Sequence, residues 1–387
     1  MQIAFYAPMK SPASPRPSGD RKIARLFMSA LSTGGFTPFL ASEFRSWEGL
    51  GDKDDQKRIE EEGSSIANKL IEQYRETETS QKPVAWFTYH MYHKSPDWIG
   101  PKVSKALHIP YFIAEASVSP KQENGAWGEG YTASLNAIHQ ANRIFCVNPK
   151  DIPALQHTLG SDNNLVSIPP FLDRNPNLDN STKQLKNTLS RQYKLNPDQY
   201  WLLTVAMMRE DSKLSSYRVL AKAVDKIQRK DWQLIIVGDG VAETLVKELF
   251  RNDFKRKVHF VGRKDERQID QLMQAADLFV WPAINEALGM VALEALSNGL
   301  PNLVGRGGGI QQIIENEKTG LLLDNPENTG APDRFAAAID QLLSDPSRLA
   351  KMRNASLTKF KSEHNLEIAA NLITNHVKEV ISELYAG

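Results

Sequence analysis

Residues 278–314 read LFVWPAINEALGMVALEALSNGLPNLVGRGGGIQQII, and two features of this stretch set the reading of the whole chain. The first is its rhythm. A short apolar run (LFVWPA) passes through a loop into a helix-length segment, which Gly299 and Pro301 stop before a second short apolar run (LPNLVG). Runs of this length, apolar on both faces and separated by helical periodicity, are parallel strands covered on both sides by helices. The second feature is chemical. Glu286 and Glu294 stand in mostly apolar text, and Glu294 is flanked by Val291, Ala292, Leu293, Ala295 and Leu296. A carboxylate buried without partners loses hydration or takes up a proton, so both glutamates need hydrogen-bond donors.

The same alternation runs through both halves of the chain. IAFYAP, TPFLAS, VAWFTY, YFIAEAS, RIFCVN and LVSIPP are strand candidates in the first half. YWLLTVAMM, WQLIIVG, VHFVG, LFVWPA, LPNLVG and GLLLD are their counterparts in the second. With 387 residues the chain exceeds a single core, and the polar, proline-bearing segment between the two sets reads as a linker followed by a helix. The expectation is an α/β protein with two doubly wound, Rossmann-like domains facing across a cleft. Its parts are an N-terminal domain at 1–172, a linker at 173–198, a C-terminal domain at 199–365 and a C-terminal amphipathic helix at 366–387.

At 41% hydrophobic and 24% charged residues, the composition is that of an ordinary globular protein. The formal net charge of +1 argues against a nucleic-acid footprint over the whole surface. The single cysteine, Cys146, reads as a buried strand residue compatible with a reducing compartment. The N-terminus reads as a first strand rather than a signal peptide, and no apolar segment approaches bilayer-spanning length, so a cytoplasmic location is expected. Residues 43–82 are rich in charge, and DDQKRIEEEGSSIANKLIEQYRETE within them (54–78) reads as one solvated helix. Asp52-Lys53-Asp54 within them spells the D-x-D of metal-dependent sugar transferases, yet it follows no strand and reads as a surface turn.

In doubly wound sheets ligands bind at the C-terminal ends of the strands. Glu286 lies in such a loop, and Glu294 lies about a turn into the following helix, which starts near Met290. Gly307, Gly308 and Gly309 form a strand-to-helix turn whose amides could close on a phosphate. Arg209 and Lys213 follow the first strand of the C-terminal half at the same sheet edge. Carboxylates beside cations and anion-binding amides suit one ligand carrying both hydroxyls and phosphates, such as a nucleotide sugar.

The text EALGMVALEA matches the E-x7-E pattern of retaining GT-B glycosyltransferases, and its surroundings resemble glycosyltransferase family 4. The resemblance covers the C-terminal half, from Lys213 through Gly238 and Gly240, Gly262, Asn285, Gly289, Gly299 and Pro301 to the glycine turn and GLLL. It implies a metal-independent, hexosyltransferase-type enzyme that moves a sugar from a UDP- or GDP-linked donor with retention. The donor is a co-substrate and no cofactor is implied. By the same resemblance Glu286 binds the donor sugar's hydroxyls, Glu294 accepts the ribose hydroxyls, and Lys213 neutralises the diphosphate. Gly308 and Gly309 lie near the phosphates, and the backbone after Gly262, at Arg263, forms the base pocket. Two positions depart from the family. Met207 stands where an arginine is usual, with Arg209 as its substitute, and Ala116 stands where many members have a histidine.

The N-terminal half resembles the family less. Gly19, in the turn before a helix carrying Arg21 and Arg25, matches a glycine that closes over donor phosphates. His90 and Glu115 end or follow strands and are acceptor-side catalytic candidates, with Trp127 as a stacking candidate. His90 and His93 lack a third metal ligand by spacing, so no metal site is expected. The acceptor is left open among sugar, lipid-linked and protein classes. The lysines and Trp98 of HKSPDWIGPKVSK allow a peripheral membrane contact or a plain amphipathic surface. Two other functions compete: a nucleotide-sugar epimerase of the same layout, and a nucleotide-sugar-binding protein without activity. A dehydrogenase is disfavoured because the first strand lacks G-x-G-x-x-G.

Overall fold

The computed structural model describes residues 1–15, 18–175, 182–250 and 257–386. The expected linker positions 176–181, including Pro176, and Gly387 of the last helix lie outside the described residues. The chain divides into two compact units, Met1–Ile168 with Leu366–Gly387, and Pro169–Asn365.

The first unit holds strands β1 (Gln2–Tyr6), β2 (Thr37–Ser42), β3 (Pro83–Met91), β4 (Tyr111–Ala116), β5 (Arg143–Cys146) and β6 (Leu165–Ser167). Its helices are α1 (Gly19–Thr33), α2 (Lys53–Glu76), α3 (Gly100–Leu107), α4 (Gly128–Gln140) and α5 (Ile152–Leu159). The second unit holds α6 (Thr182–Tyr193), β7 (Tyr200–Val205), α7 (Ser212–Val224), β8 (Trp232–Val237), α8 (Glu243–Leu249) and β9 (Val258–Gly262). It continues with α9 (Glu266–Ala275), β10 (Leu278–Trp281), α10 (Met290–Ser297), β11 (Asn302–Gly305), α11 (Ile310–Ile313), β12 (Gly320–Leu323), α12 (Ala331–Leu343) and α13 (Pro346–Lys359). The last helix, α14 (Leu366–Ala386), belongs to the first unit, where it lies against α1: a Cβ on Gly34 would meet the Thr374 side chain at 2.1 Å.

Each unit is a six-stranded sheet, ordered β2-β1-β3-β4-β5-β6 and β12-β11-β10-β7-β8-β9, with every pairing parallel. This is the GT-B pair of Rossmann-like sheets, and all twelve strands fall on the apolar runs named above. The sequence forces parallel pairing because both faces of each strand are apolar and every strand is followed by a helix. In the first sheet Phe87 stacks on Phe5 and Phe145 at 5.7 Å, all three fully buried.

Both sheets have a point where the winding reverses. In the first, β1 lies between β2 and β3; in the second, β7 lies between β8 and β10. The loops leaving β1 and β3, and those leaving β7 and β10, therefore diverge to opposite faces and open a crevice at the strand ends.

Two readings of the sequence change. The helix expected at 54–78 is α2, but it is not solvated all round: Ile59, Gly63, Ala67, Leu70 and Tyr74 are buried at helical spacing. The charge sits on the other face. Asp52 is the N-cap of α2, accepting the Asp55 N–H at 2.9 Å, which gives the D-x-D motif a local structural task. Trp98 packs closely on α2, since a Cβ at Gly63 would come within 2.6 Å of it. Cys146 is buried as expected, and burial pushes its thiol up to about 12. Among the described residues no helix is long and apolar enough to cross a membrane.

The second unit ties its two ends together. Leu172 bridges Asn365, its N–H reaching the His364 carbonyl at 2.9 Å, and the His364 Nδ1–H donates to Pro170 O at 2.7 Å. Burial pushes the His364 imidazole from 6.5 down to about 4, with the Pro170 bond opposing. Between these values the unfolded chain binds the proton and the folded one does not, so stability is full above about pH 6.5 and falls as the pH drops toward 4. The loss should approach about 3 kcal/mol. In His364→Asn, whose amide can reach the same carbonyl, this share of the pH dependence should vanish. Urea midpoints of parent and variant at about pH 7 and about pH 4.5 check it. A gap between the two proteins that does not narrow at the lower pH would refute the assignment.

Candidate functional site

The second unit gathers its charged groups at the reversal between β7 and β10. Lys213 is in the first turn of α7, after β7, and Glu286 is in the loop after β10; the Lys213 ammonium donates to Glu286 Oε2. Both side chains are mostly buried, at 18% and 23% exposed, so water screens the pair only partly. Lys213 Nζ also lies 5.7 Å from the centre of the Trp281 ring, which packs edge-on to Tyr217 at 5.0 Å.

The Glu286 loop is held in an unusual backbone. Ala283 (φ 56°) and Asn285 (φ 52°) are both left-handed without being glycine, at a cost of about 1–2 kcal/mol each. The surroundings fix them there. The Ile284 N–H donates to Ser216 Oγ at 3.0 Å, and the Gly309 N–H donates to Ala287 O at 2.7 Å. The expected phosphate-binding glycines have a packing task as well. A Cβ on Gly308 (φ 51°) would sit 2.4 Å from Glu286 O, and one on Gly309 would sit 2.8 Å from Leu288 O. Gly289 (φ 73°) caps α10 and has no room for a Cβ beside Ile310, at 2.3 Å. Gly307 alone in this turn has open space around it. The helix after the turn, α11, is one turn long, too short to build much of a macrodipole.

The neighbouring loops follow the same pattern. Gly240 has no room for a Cβ next to Met208 O, at 2.3 Å, while Gly262 (φ 71°) is open. Arg263 pairs with Asp239 at 3.1 Å and is largely exposed. Arg209 pairs with Asp211 at 3.0 Å, and Asp211 caps α7 by accepting the Lys213 N–H at 2.8 Å. Met207 is 56% exposed. Glu294, on α10, is buried, and the Arg174 guanidinium stands 4.0 Å from its Oε1. Arg174 also pairs with Asp270 of α9. Neither Arg174 nor Asp270 is signalled by any motif; both are far from Glu294 in sequence.

The first unit also places a pair at its reversal, between β1 and β3. His90 (φ 59°) takes Asp20 Oδ1 on its Nδ1 at 2.9 Å, and Asp20 is in the first turn of α1. Burial pushes the Asp20 carboxyl up, but the hydrogen bond and charge of His90 outweigh it and leave the group below its ordinary value. Gly19 beside it has open space, while Arg21 and Arg25 turn back onto the carbonyls of Ser14 and Pro12, each at 2.8 Å. Glu115 (φ 59°) is committed to the backbone of the next loop: its Oε1 accepts the N–H groups of Val147 at 2.6 Å and Asn148 at 3.2 Å. Burial still holds its carboxyl above the usual range, as it does for Asp151 close by. Trp127 is engaged within the first unit. Its Nε1 donates to Glu48 Oε2 at 2.9 Å and Lys94 Nζ covers the ring at 3.9 Å. Among the described residues no group of three or more His, Cys, Asp or Glu could hold a metal.

Residues 186–358 match the family model described as glycosyl transferases group 1. The GDP-mannose-dependent monoacylated alpha-(1-6)-phosphatidylinositol monomannoside mannosyltransferase of Corynebacterium glutamicum is 32% identical over 165 residues, 40% of this chain and 42% of that protein. The N-acetyl-alpha-D-glucosaminyl L-malate synthase of Bacillus anthracis is 26% identical over 245 residues, 60% of this chain and 61% of the synthase. The chain thus spans less than two thirds of the curated relatives it matches. By fold, the Anabaena HepE protein crystallised with UDP superposes with a TM-score of 0.71 at 14% identity, covering 98% of this chain and 100% of its own.

The two glycine environments give a paired test. Gly308→Ala combines a left-handed φ with a contact no side chain can make, whereas Gly307→Ala meets open space. Gly308→Ala should lose roughly 2–4 kcal/mol and Gly307→Ala under about 1 kcal/mol in urea unfolding. Equal losses would show that the turn does not press on the Glu286 loop.

Proposed function

We propose that the chain is a glycosyltransferase that takes a nucleotide sugar on its second unit. The observation that carries this reading is the Lys213–Glu286 pair at the β7/β10 reversal, in the region matching glycosyl transferases group 1. Further support comes from relatives named as sugar transferases and from a fold neighbour crystallised with UDP and with UDP-glucose.

In this reading the donor's diphosphate draws Lys213 away from Glu286, and the released carboxylate accepts hydroxyls of the donor sugar. Glu294 accepts the ribose hydroxyls, each charge-assisted bond contributing about 1.5–3 kcal/mol. Arg209, beside the position of the missing family arginine, adds positive charge. We assign the chain to family 4, with retention of configuration, a UDP- or GDP-linked hexose and no metal or other cofactor. The leaving phosphate takes the proton of the acceptor hydroxyl, so no histidine is needed at Ala116. That residue is 2% exposed on β4, and the imidazole at this sheet edge is instead His90, which with Asp20 is the acceptor-side candidate. We further infer a cytoplasmic enzyme with a sugar, lipid-linked or protein acceptor.

Lys213→Ala should weaken binding of UDP or GDP about tenfold in calorimetry. Glu286→Gln removes the group that competes for the Lys213 ammonium, so nucleoside diphosphate affinity should hold or improve while kcat falls about a hundredfold. A Glu286→Gln protein with parental turnover would overturn the assignment. Turnover should also persist in excess EDTA; complete loss, restored by Mn²⁺ or Mg²⁺, would exclude the metal-independent route.

A further inference from the structure

The proposed ribose contact at Glu294 brings its own requirement, since a buried carboxylate must stay charged and keep one orientation to accept two hydroxyls. Propensity and packing of α10 do not supply that, because its neighbours Leu293, Ala295 and Leu296 are apolar and fully buried. A cation does stand beside it: Arg174, on the segment that follows the Leu172 bridge at the start of the second unit. One arm of its guanidinium pairs with Asp270, and the other, Nη2, lies 4.0 Å from Glu294 Oε1. Its side chain is 16% exposed, and the carboxylates of Glu294 and Asp270 are 12% and 31% exposed, so the triad is largely out of water.

The anchor is itself anchored. The Asn298 amide donates to Asp270 Oδ1 at 3.1 Å and to the Glu294 carbonyl at 2.9 Å, and Gln274 donates to Asn298 Oδ1 at 3.1 Å. A planar guanidinium fixed on one carboxylate presents its second arm in a set direction, which a lysine's point charge would not do. At 4.0 Å the contact with Glu294 is a charge contact rather than a hydrogen bond.

We propose that Arg174 is a positioning residue for nucleotide recognition: held by Asp270, it keeps Glu294 aimed at the ribose diol. This rests on the reading of Glu294 given above, and the test separates the two. Calorimetric titration of the full chain with UDP and with 2′,3′-dideoxy-UDP (GDP and its dideoxy analogue if GDP binds more tightly) gives a ratio of affinities. Loss of a general positive charge would weaken both ligands alike and leave that ratio unchanged. The parent should prefer the ribonucleotide by roughly tenfold or more, and Glu294→Ala should abolish the preference. Arg174→Ala should abolish most of it as well, with Arg174→Gln as the second variant should the alanine protein not fold. If Glu294→Ala loses the preference while the arginine variants keep it at the parental ratio, Arg174 does not position Glu294 and the inference is overturned. A parent that binds the two nucleotides equally, or binds neither, removes the ribose reading itself, and this inference with it.

Discussion

A parallel sheet wound in both directions has one place where consecutive loops part, and each unit of this chain puts a half-buried ion pair at that place. Asp20 and His90 stand at the strand ends of β1 and β3, and Lys213 and Glu286 at those of β7 and β10. The constraint is topological before it is chemical. Right-handed crossovers send the helices of neighbouring strands to opposite faces at the reversal and nowhere else. Elsewhere a charged group at a strand end can be turned inward, as with Glu115 on its two backbone amides.

Holding a charged group at such a crevice requires a loop that does not relax away. In the second unit this comes from contact between two backbones. Gly305, Gly308 and Gly309 allow the turn after β11 to lie against the loop after β10, where a Cβ at Gly305 would stand 1.9 Å from Pro282 O. The left-handed Ala283 and Asn285 are the strained side of that contact, and Ser216 and the Gly309 amide are what hold them. The same glycines read in the sequence as phosphate ligands. Their spacing suits both tasks, and the distances to neighbouring carbonyls show the packing one for Gly308 and Gly309.

What was legible in the sequence follows from how far each interaction reaches along the chain. The strands were legible because burial on both faces writes itself into five or six consecutive residues. The bounds of α10 were legible from Gly289, Gly299 and Pro301. The amphipathic face of α2 was hidden because its buried positions include Gln56 and Gly63, small or polar residues that carry no hydrophobic signal. Side-chain pairs across long sequence separations leave no local pattern at all. Asp20 and His90 are 70 residues apart, and Arg174 and Asp270 are 96. Each was invisible until the fold brought strand ends or helices together.

The buried acids show how a residue's solvent-free partners set what it can still do. Asp97 is filled on both oxygens, by Thr88 and Tyr111 hydroxyls on one and by the Ile99 and Gly100 amides on the other. Such a group locks the start of α3 to β3 and β4 and has nothing left to offer a ligand. Glu115 accepts two amides on one oxygen, which ties the β5 loop to β4 and leaves its acidity raised by burial. Glu294 differs in that a guanidinium stands beside its Oε1 at 4.0 Å, beyond hydrogen-bond distance. A cation at that range stabilises the charge through the low-dielectric interior, yet accepts no lone pair in exchange. Asp97 and Glu115 are thus spent on joining elements of the fold, whereas the carboxylate of Glu294 stands beside an arginine that is itself held by Asp270.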